Sequence, residues 1–215
     1  MNSGQRGLLV TFEGGEGSGK STIVRKVAEH IGEGALVTQE PEGTDLGRHM
    51  WEYFRGLAAA GKNLTPEAEL FLFAAARAEH VRTVIEPALA AGRVVLCDRF
   101  ADSTTAYQGH GRGIDIATVA AVNRIATGSL EPDLTLLLDV PVDVGLARAR
   151  ALEADATKRP DAIGAEPLAF HERVRAGFLG IAAANPQRVT VIDAGQPLVV
   201  VLAGVIEAVD TATRR

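Results

Sequence analysis

The sequence predicts an α/β domain built on a parallel sheet, and three observations carry that prediction. Short apolar runs at residues 8–12, 35–38, 93–97, 134–138 and 189–192 are separated by longer stretches of helical character. The run at 134–138 is nearly continuous, as a strand covered on both faces should be. A glycine cluster follows the first run and opens a helical stretch over residues 20–31.

The remaining elements follow in order. The second run leads into a turn at Glu40, Pro41, Glu42 and Gly43. Thr65 is placed to cap a helix, with Pro66 where its missing N–H costs nothing. That helix is expected to end near residue 85, before Pro87. The third strand closes on Asp98 and Arg99, and a polar recognition loop is expected after it, over 102–113. A helix is predicted from about 115 to 127, with Gly128 as its stop. Pro141 and Asp143 open another helix, through Arg148 and Arg150, and a last one follows Pro197. Over 151–165 the apolar period lapses, which fits a surface loop or a lid that moves. One domain over 1–215 is expected, since no repeat or low-complexity linker interrupts it.

Composition narrows the partners. The net charge of -5 offers no overall attraction to nucleic acid, so no polynucleotide partner is expected, whereas a small nucleotide needs only a few local cations. The longest apolar stretches, such as 198–205, are too short to span a bilayer, so no membrane role is expected. The single cysteine, Cys97, sits among Val94, Val95 and Leu96 and reads as a small buried hydrophobe. Residues 1–7 show no charged-then-apolar leader pattern, and a cytoplasmic location is expected. The five histidines lack metal-ligand spacing.

The chemistry begins at Gly14, Gly15, Glu16, Gly17, Ser18, Gly19, Lys20 and Ser21, which match G-x-x-x-x-G-K-[ST] between a strand and a helix. Glycines let the backbone curl so that N–H groups converge on one phosphate, and the helix adds its positive end. Lys20 supplies a cation for the β- and γ-phosphates of a nucleotide, and Ser21 a hydroxyl for magnesium. Asp98 and Arg99 end the third strand, where open parallel sheets bind ligands. A carboxylate there holds a magnesium water shell and an arginine grips a phosphate, although Asp139 ends the fourth strand in the same way. Phe73 and Arg77, four residues apart on one helix, share a face, so a ring and a guanidinium are offered together to a base.

These segments together resemble the bacterial form of the thymidylate kinase family. The resemblance is carried by Phe12 to Thr22, Glu40-Pro41 with Gly43-Thr44, Leu72 to Arg77, Asp98-Arg99-Phe100, Pro132 to Val140 and Ile192-Asp193-Ala194. Its most specific piece runs from Asp102 through Tyr107, Gln108 and Arg112 to Ile114. It implies a P-loop nucleoside-monophosphate-kinase-like three-layer sandwich with a five-stranded parallel sheet, magnesium-dependent transfer from ATP to dTMP, and a homodimer.

By that resemblance Lys20, Ser21, Thr22 and Arg148 serve ATP, with Asp193 and Ala194 beside its adenine. Glu16 meets the acceptor's 3′-hydroxyl, Phe73 stacks on thymine and Arg77 bonds its edge. Arg99 holds the acceptor phosphate, Ser103, Thr104 and Gln108 line the base and sugar pocket, and Tyr107 occupies the place of a 2′-hydroxyl. Glu40 and Pro41 belong to the acceptor site, and Arg148, Arg150 and Arg159 are the candidates for a lid arginine. The chain departs from the family at Gln39, Glu42 and Trp51, where arginine, glycine and arginine are usual, and Arg48 is the substitute expected for the lost helix cation. These departures leave open a kinase for another nucleoside monophosphate or a deoxynucleoside. A P-loop regulatory protein with little turnover is the alternative of another class.

Overall fold

A computed structural model describes residues 6–154 and 163–214. Five parallel strands form one sheet in the order β2-β3-β1-β4-β5. The strands are β1 (Leu9–Glu13), β2 (Ala35–Gln39), β3 (Val94–Asp98), β4 (Leu134–Asp139) and β5 (Val189–Asp193). Each expected run is therefore a strand, most of them extended by one residue at the carboxyl end.

Helices cover both faces, which is why the strands read as apolar without alternation. On one face Val10, Phe12, Leu136 and Leu138 pack against α1 (Lys20–Ile31) and α9 (Leu198–Thr213). On the other, Leu9, Val95 and Cys97 meet the end of a long helix, and Leu137 and Val189 meet α8 (Leu168–Ala184). Cys97 is fully buried, and burial pushes its thiol pKa well above the usual range, in keeping with a packing role.

The long helix is α3 (Pro66–His80), and its start is as expected: Thr65 Oγ1 accepts from the Ala68 N–H at 3.3 Å, with Pro66 in the first turn. Its end differs. The chain passes Pro87 without leaving the helix, through a π-helical turn at Val81–Ile85 and then α4 (Glu86–Ala90). The wider turn changes the bonding register just where the proline lacks its N–H. Helix α2 (Asp45–Ala59) precedes it, and α6 (Ile116–Thr127) begins at the Asp115 cap and stops at Gly128 in the left-handed conformation.

The expected recognition loop after β3 is instead helical. It comprises α5 (Ala101–Thr104) and a π-helical stretch, Thr105–Gly111. Gly109 and Gly111 serve close packing rather than turning, since a Cβ on Gly111 would lie 2.7 Å from the Phe170 ring of α8. Helix α7 (Val142–Ala154) leads away from β4, and the lid segment expected over 151–165 falls largely on residues outside those described.

Candidate active site

The glycine-rich loop lies between β1 and α1, at the carboxyl end of the sheet and beside the point where the strand order reverses. Gly17 has φ +65, and a Cβ there would sit 1.9 Å from the carbonyl oxygen of Gly145 on α7. Only glycine lets these two backbones approach. Lys20 heads α1 and donates to Gly14 O at 3.0 Å, Gly15 O at 2.9 Å and Ser18 Oγ at 3.2 Å. Burial, and then the Arg99 charge, push its pKa down to about 8, while Asp98, Glu16 and Glu13 resist the fall.

The two strand-end aspartates separate clearly. Ser21 Oγ donates to Asp98 Oδ2 at 2.7 Å, so a hydroxyl and a carboxylate meet beside the phosphate loop. Asp139 is held by Arg175 through Nε and Nη2, both at 2.8 Å. Ser21 and Asp98 are hard oxygen donors of the kind magnesium takes. No cluster of three or more metal-ligating side chains occurs among the described residues.

Arg99 adopts φ +69, a left-handed conformation costly for an arginine, and its N–H is tied to Phe12 O at 2.9 Å. Its side chain donates to Gly14 O at 3.1 Å, Ser103 Oγ at 3.3 Å and Glu16 Oε1 at 2.8 Å. The guanidinium lies 5.1 Å from the centre of the Tyr107 ring, whose hydroxyl donates to the same Glu16 oxygen at 3.2 Å. Burial opposes the Glu16 charge, but Arg99 and Lys20 outweigh it and hold the carboxyl below its ordinary value. Likewise burial opposes Arg99, and Tyr107, Glu16 and Asp98 keep it firmly charged.

Glu13, fully buried at the end of β1, fastens this region from beneath. It accepts from the Phe100 N–H at 2.8 Å and from Ser103 Oγ at 2.5 Å. Burial, with Asp102 nearby, raises its pKa to about 8, against the opposing pull of the Ser103 hydroxyl and the Arg99 charge.

One cavity of about 370 Å³ joins these groups to the expected base readers. Its wall runs from Lys20 and Ser21, past Asp98 and Arg99, to Phe73, Arg77 and Gln108. Glu16, Glu40, Pro41, Ser103, Thr104 and Tyr107 line it too, so most of the acceptor residues expected from sequence are brought together. Phe73 is braced by Phe54 at 5.6 Å and by Trp51 at 6.4 Å between ring centres.

Arg77 is more deeply embedded than a surface base reader. It is 3% exposed and donates to Glu40 Oε2 (2.8 Å), Thr104 Oγ1 (2.8 Å), Asn123 Oδ1 (2.9 Å) and Phe100 O (3.1 Å). Any base edge must therefore share donors with a buried network. Glu40 is in turn bonded to His80 at 3.2 Å, and His80 to Thr38 Oγ1 at 2.7 Å.

Other expected residues lie apart from this cavity. Arg48 is half-exposed, paired with Asp45, and does not line it, because its position on α2 turns it toward the first turn of its own helix. Arg148 donates to Ala194 O at 2.8 Å, which ties α7 to the end of β5. Asp193 folds onto its own turn, accepting from the Gly195 N–H and Gln196, both at 2.8 Å. Arg150 is exposed on α7 and outside the cavity wall. Arg159 lies outside the described residues.

Sequence reasoning missed Glu13, Glu69 and Asn123. The signal for Glu69 was present: it stands one turn before Phe73 and two before Arg77, on the same helical stripe. Asn123 sits on the buried face of α6 beside Val119 and Ala126, a polar residue where the period calls for an apolar one.

A family model described as thymidylate kinase matches residues 12–204. The chain belongs to the thymidylate kinase family. It is 50% identical over 210 residues to the thymidylate kinase of Thermomicrobium roseum, covering 96% of each chain. With that of Desulfovibrio desulfuricans it shares 49% over 195 residues, 88% of this chain and 89% of the other. The crystal structure of thymidylate kinase from Ehrlichia chaffeensis superposes with a TM-score of 0.74 at 33% identity, covering 95% of this chain and 99% of that one. In this member of the thymidylate kinase family Gln39, Glu42 and Trp51 all line the cavity, with Gln39 Nε2 donating to Glu42 Oε2 at 3.0 Å.

Proposed function

We propose that the protein transfers the γ-phosphoryl group of ATP to dTMP, giving ADP and dTDP. The observation that carries this reading is the single cavity running from the phosphate loop at Lys20 to the aromatic wall at Phe73. Donor phosphates and an acceptor base are thereby held at opposite ends of one space, which supplies the proximity that transfer needs.

The reading assigns roles as follows. The loop amides and Lys20 hold the ATP phosphates, and Arg99 holds the acceptor's 5′-phosphate beside them. An oxygen of that phosphate attacks the γ-phosphorus, the new P–O bond forms, and the bond to the β,γ-bridging oxygen breaks, leaving its electron pair on ADP. Ser21 and Asp98 are the side chains that would hold magnesium, which neutralises phosphate charge when bound. Phe73 stacks on the base, Thr104 and Gln108 face its edge, and Tyr107 with Glu16 meets the sugar. The lid cation is to be sought among Arg148, Arg150 and Arg159.

No helix among the described residues is long and apolar enough to cross a membrane. The setting proposed is the cytoplasm, with no polynucleotide partner. A homodimer is also proposed, since Phe71 of α3 and Ile125 of α6 expose apolar side chains on two helices that pack together. Light scattering on the purified chain tests that assembly.

The experiment for the reaction is ADP release from ATP and magnesium with and without thymidylate. Strong stimulation by thymidylate, and little by deoxyuridylate, guanylate or thymidine, is expected. Stimulation by another acceptor in its place would show that Gln39, Glu42 and Trp51 have changed the acceptor.

A further inference from the structure

Behind the base end of the cavity lies a buried polar chain that the reaction itself does not use. Glu69 is 3% exposed on α3 and accepts from Gln108 Nε2 at 2.7 Å. Arg112 grips the same carboxylate through Nε at 3.2 Å and Nη2 at 3.0 Å. Arg112 is itself held by Glu166 and stacked over the Phe170 ring at 4.8 Å.

We infer that Glu69, fixed by Arg112, is a positioning residue that sets the hydrogen-bonding sense in which Gln108 meets the acceptor's base. This deepens the proposed reading and rests on it. The argument is chemical. An ionised carboxylate only accepts, so the Gln108 amide must turn its NH₂ group toward Glu69. Gln108 is 2% exposed and lines the cavity, so its Oε1 is the atom left to face a ligand. An amide's two ends have nearly the same shape, and nothing but its partners decides which end points where.

A buried acceptor oxygen on the cavity wall selects a base that offers an N–H. A thymine or uracil edge carries a hydrogen on its ring nitrogen, whereas cytosine presents a lone pair at the same place. Facing that lone pair would leave Oε1 unsatisfied, which is the kind of mismatch that sites built on hydrogen bonds reject strongly. The device separates pyrimidines by protonation at one ring atom rather than by size.

The test is Glu69→Gln, which keeps the shape and removes the acceptor-only constraint. On the full chain, kcat/KM is measured for thymidylate and for deoxycytidylate. The ratio is expected to fall by about 10-fold, through KM for thymidylate with kcat within about 2-fold, because a bond to the ground state and transition state alike is weakened. In a Gln108→Met background, adding Glu69→Gln is expected to leave the ratio unchanged, since the group it positions is gone. An unchanged ratio in the single variant, or the same fall in the Gln108→Met background, overturns the inference.

A second readout stands apart from turnover. The Gln108 side-chain amide signals, assigned by their loss in Gln108→Met, are expected to exchange slowly with water and to lose about 10-fold of that protection in Glu69→Gln. Unaltered protection overturns the positioning role even if the protein turns over no pyrimidine nucleotide, an outcome that would refute the thymidylate reading by itself. Should Glu69→Gln fail to fold, Arg112→Lys loosens the same carboxylate while keeping the charge, and a smaller fall in both readouts is expected. No fall in either overturns the inference.

Discussion

Replacing Arg77 by alanine strips a buried carboxylate of its main partner. Glu40 is 6% exposed at its side chain and pairs with Arg77 at 2.8 Å. The truncation also leaves Thr104 Oγ1, Asn123 Oδ1 and Phe100 O without the donors they now accept from. Breaking a buried pair by removing one member costs roughly 3–5 kcal/mol, because the remaining charge is left uncompensated. For a domain of this size each kcal/mol lowers Tm by roughly 2–4 °C, so a drop of about 6–20 °C is expected. Thermal unfolding followed by circular dichroism and calorimetry measures it. Pairing Arg77→Met with Glu40→Gln removes both charges, and at least half of the loss should return. A fall below about 3 °C in Arg77→Ala, or no recovery in the pair, would refute the view that Arg77 is first a structural cation. In assays held well below the melting temperature, KM for thymidylate should rise more than KM for ATP.

Lys20→Ala is expected to abolish turnover while Tm stays within a few degrees of the parent, and near-normal turnover would remove the loop from the proposed mechanism. The depressed Lys20 pKa of about 8, against an ordinary 10.5, makes kcat/KM for ATP fall as pH rises through about 8, because the uncharged amine no longer attracts phosphate. The sign for stability is opposite: between those two values the unfolded chain binds the extra proton, so the cost of burying this lysine is relieved as pH rises. A pH profile of kcat/KM that is flat from 7 to about 9.5 would contradict the assigned charge. Gly17→Ala places a methyl 1.9 Å from Gly145 O at a left-handed φ, and is expected to lower both Tm and ATP affinity by calorimetry.

Much of this arrangement was legible in the chain because it rests on local rules. Strand runs, the Thr65 cap, the Gly128 stop and the phosphate loop all follow from spacing and residue type. What escaped depends on partners distant in sequence. Residues 102–113 look like a loop because glycine and polar side chains usually mean one. They form a helical stretch because α8 requires close approach at Gly111, and because Gln108 and Thr105 find partners in Glu69 and Asn123. Asp98 and Asp139 are equivalent by position, and only Ser21 and Arg175 tell them apart. Arg48 shares a helical face with Trp51, but a salt bridge within its own first turn holds it outside the cavity.

The aromatic wall also has a practical consequence. Trp51 is the chain's sole tryptophan, it lines the cavity, and it stacks on Phe54 at 5.6 Å with ring planes 18° apart. Indole emission from the native, unlabelled protein therefore originates at one address, a few ångströms from Phe73. A nucleotide entering beside that ring changes the polarity around the fluorophore. Occupancy of the proposed acceptor site becomes an optical signal readable in real time, separate from the chemistry that follows.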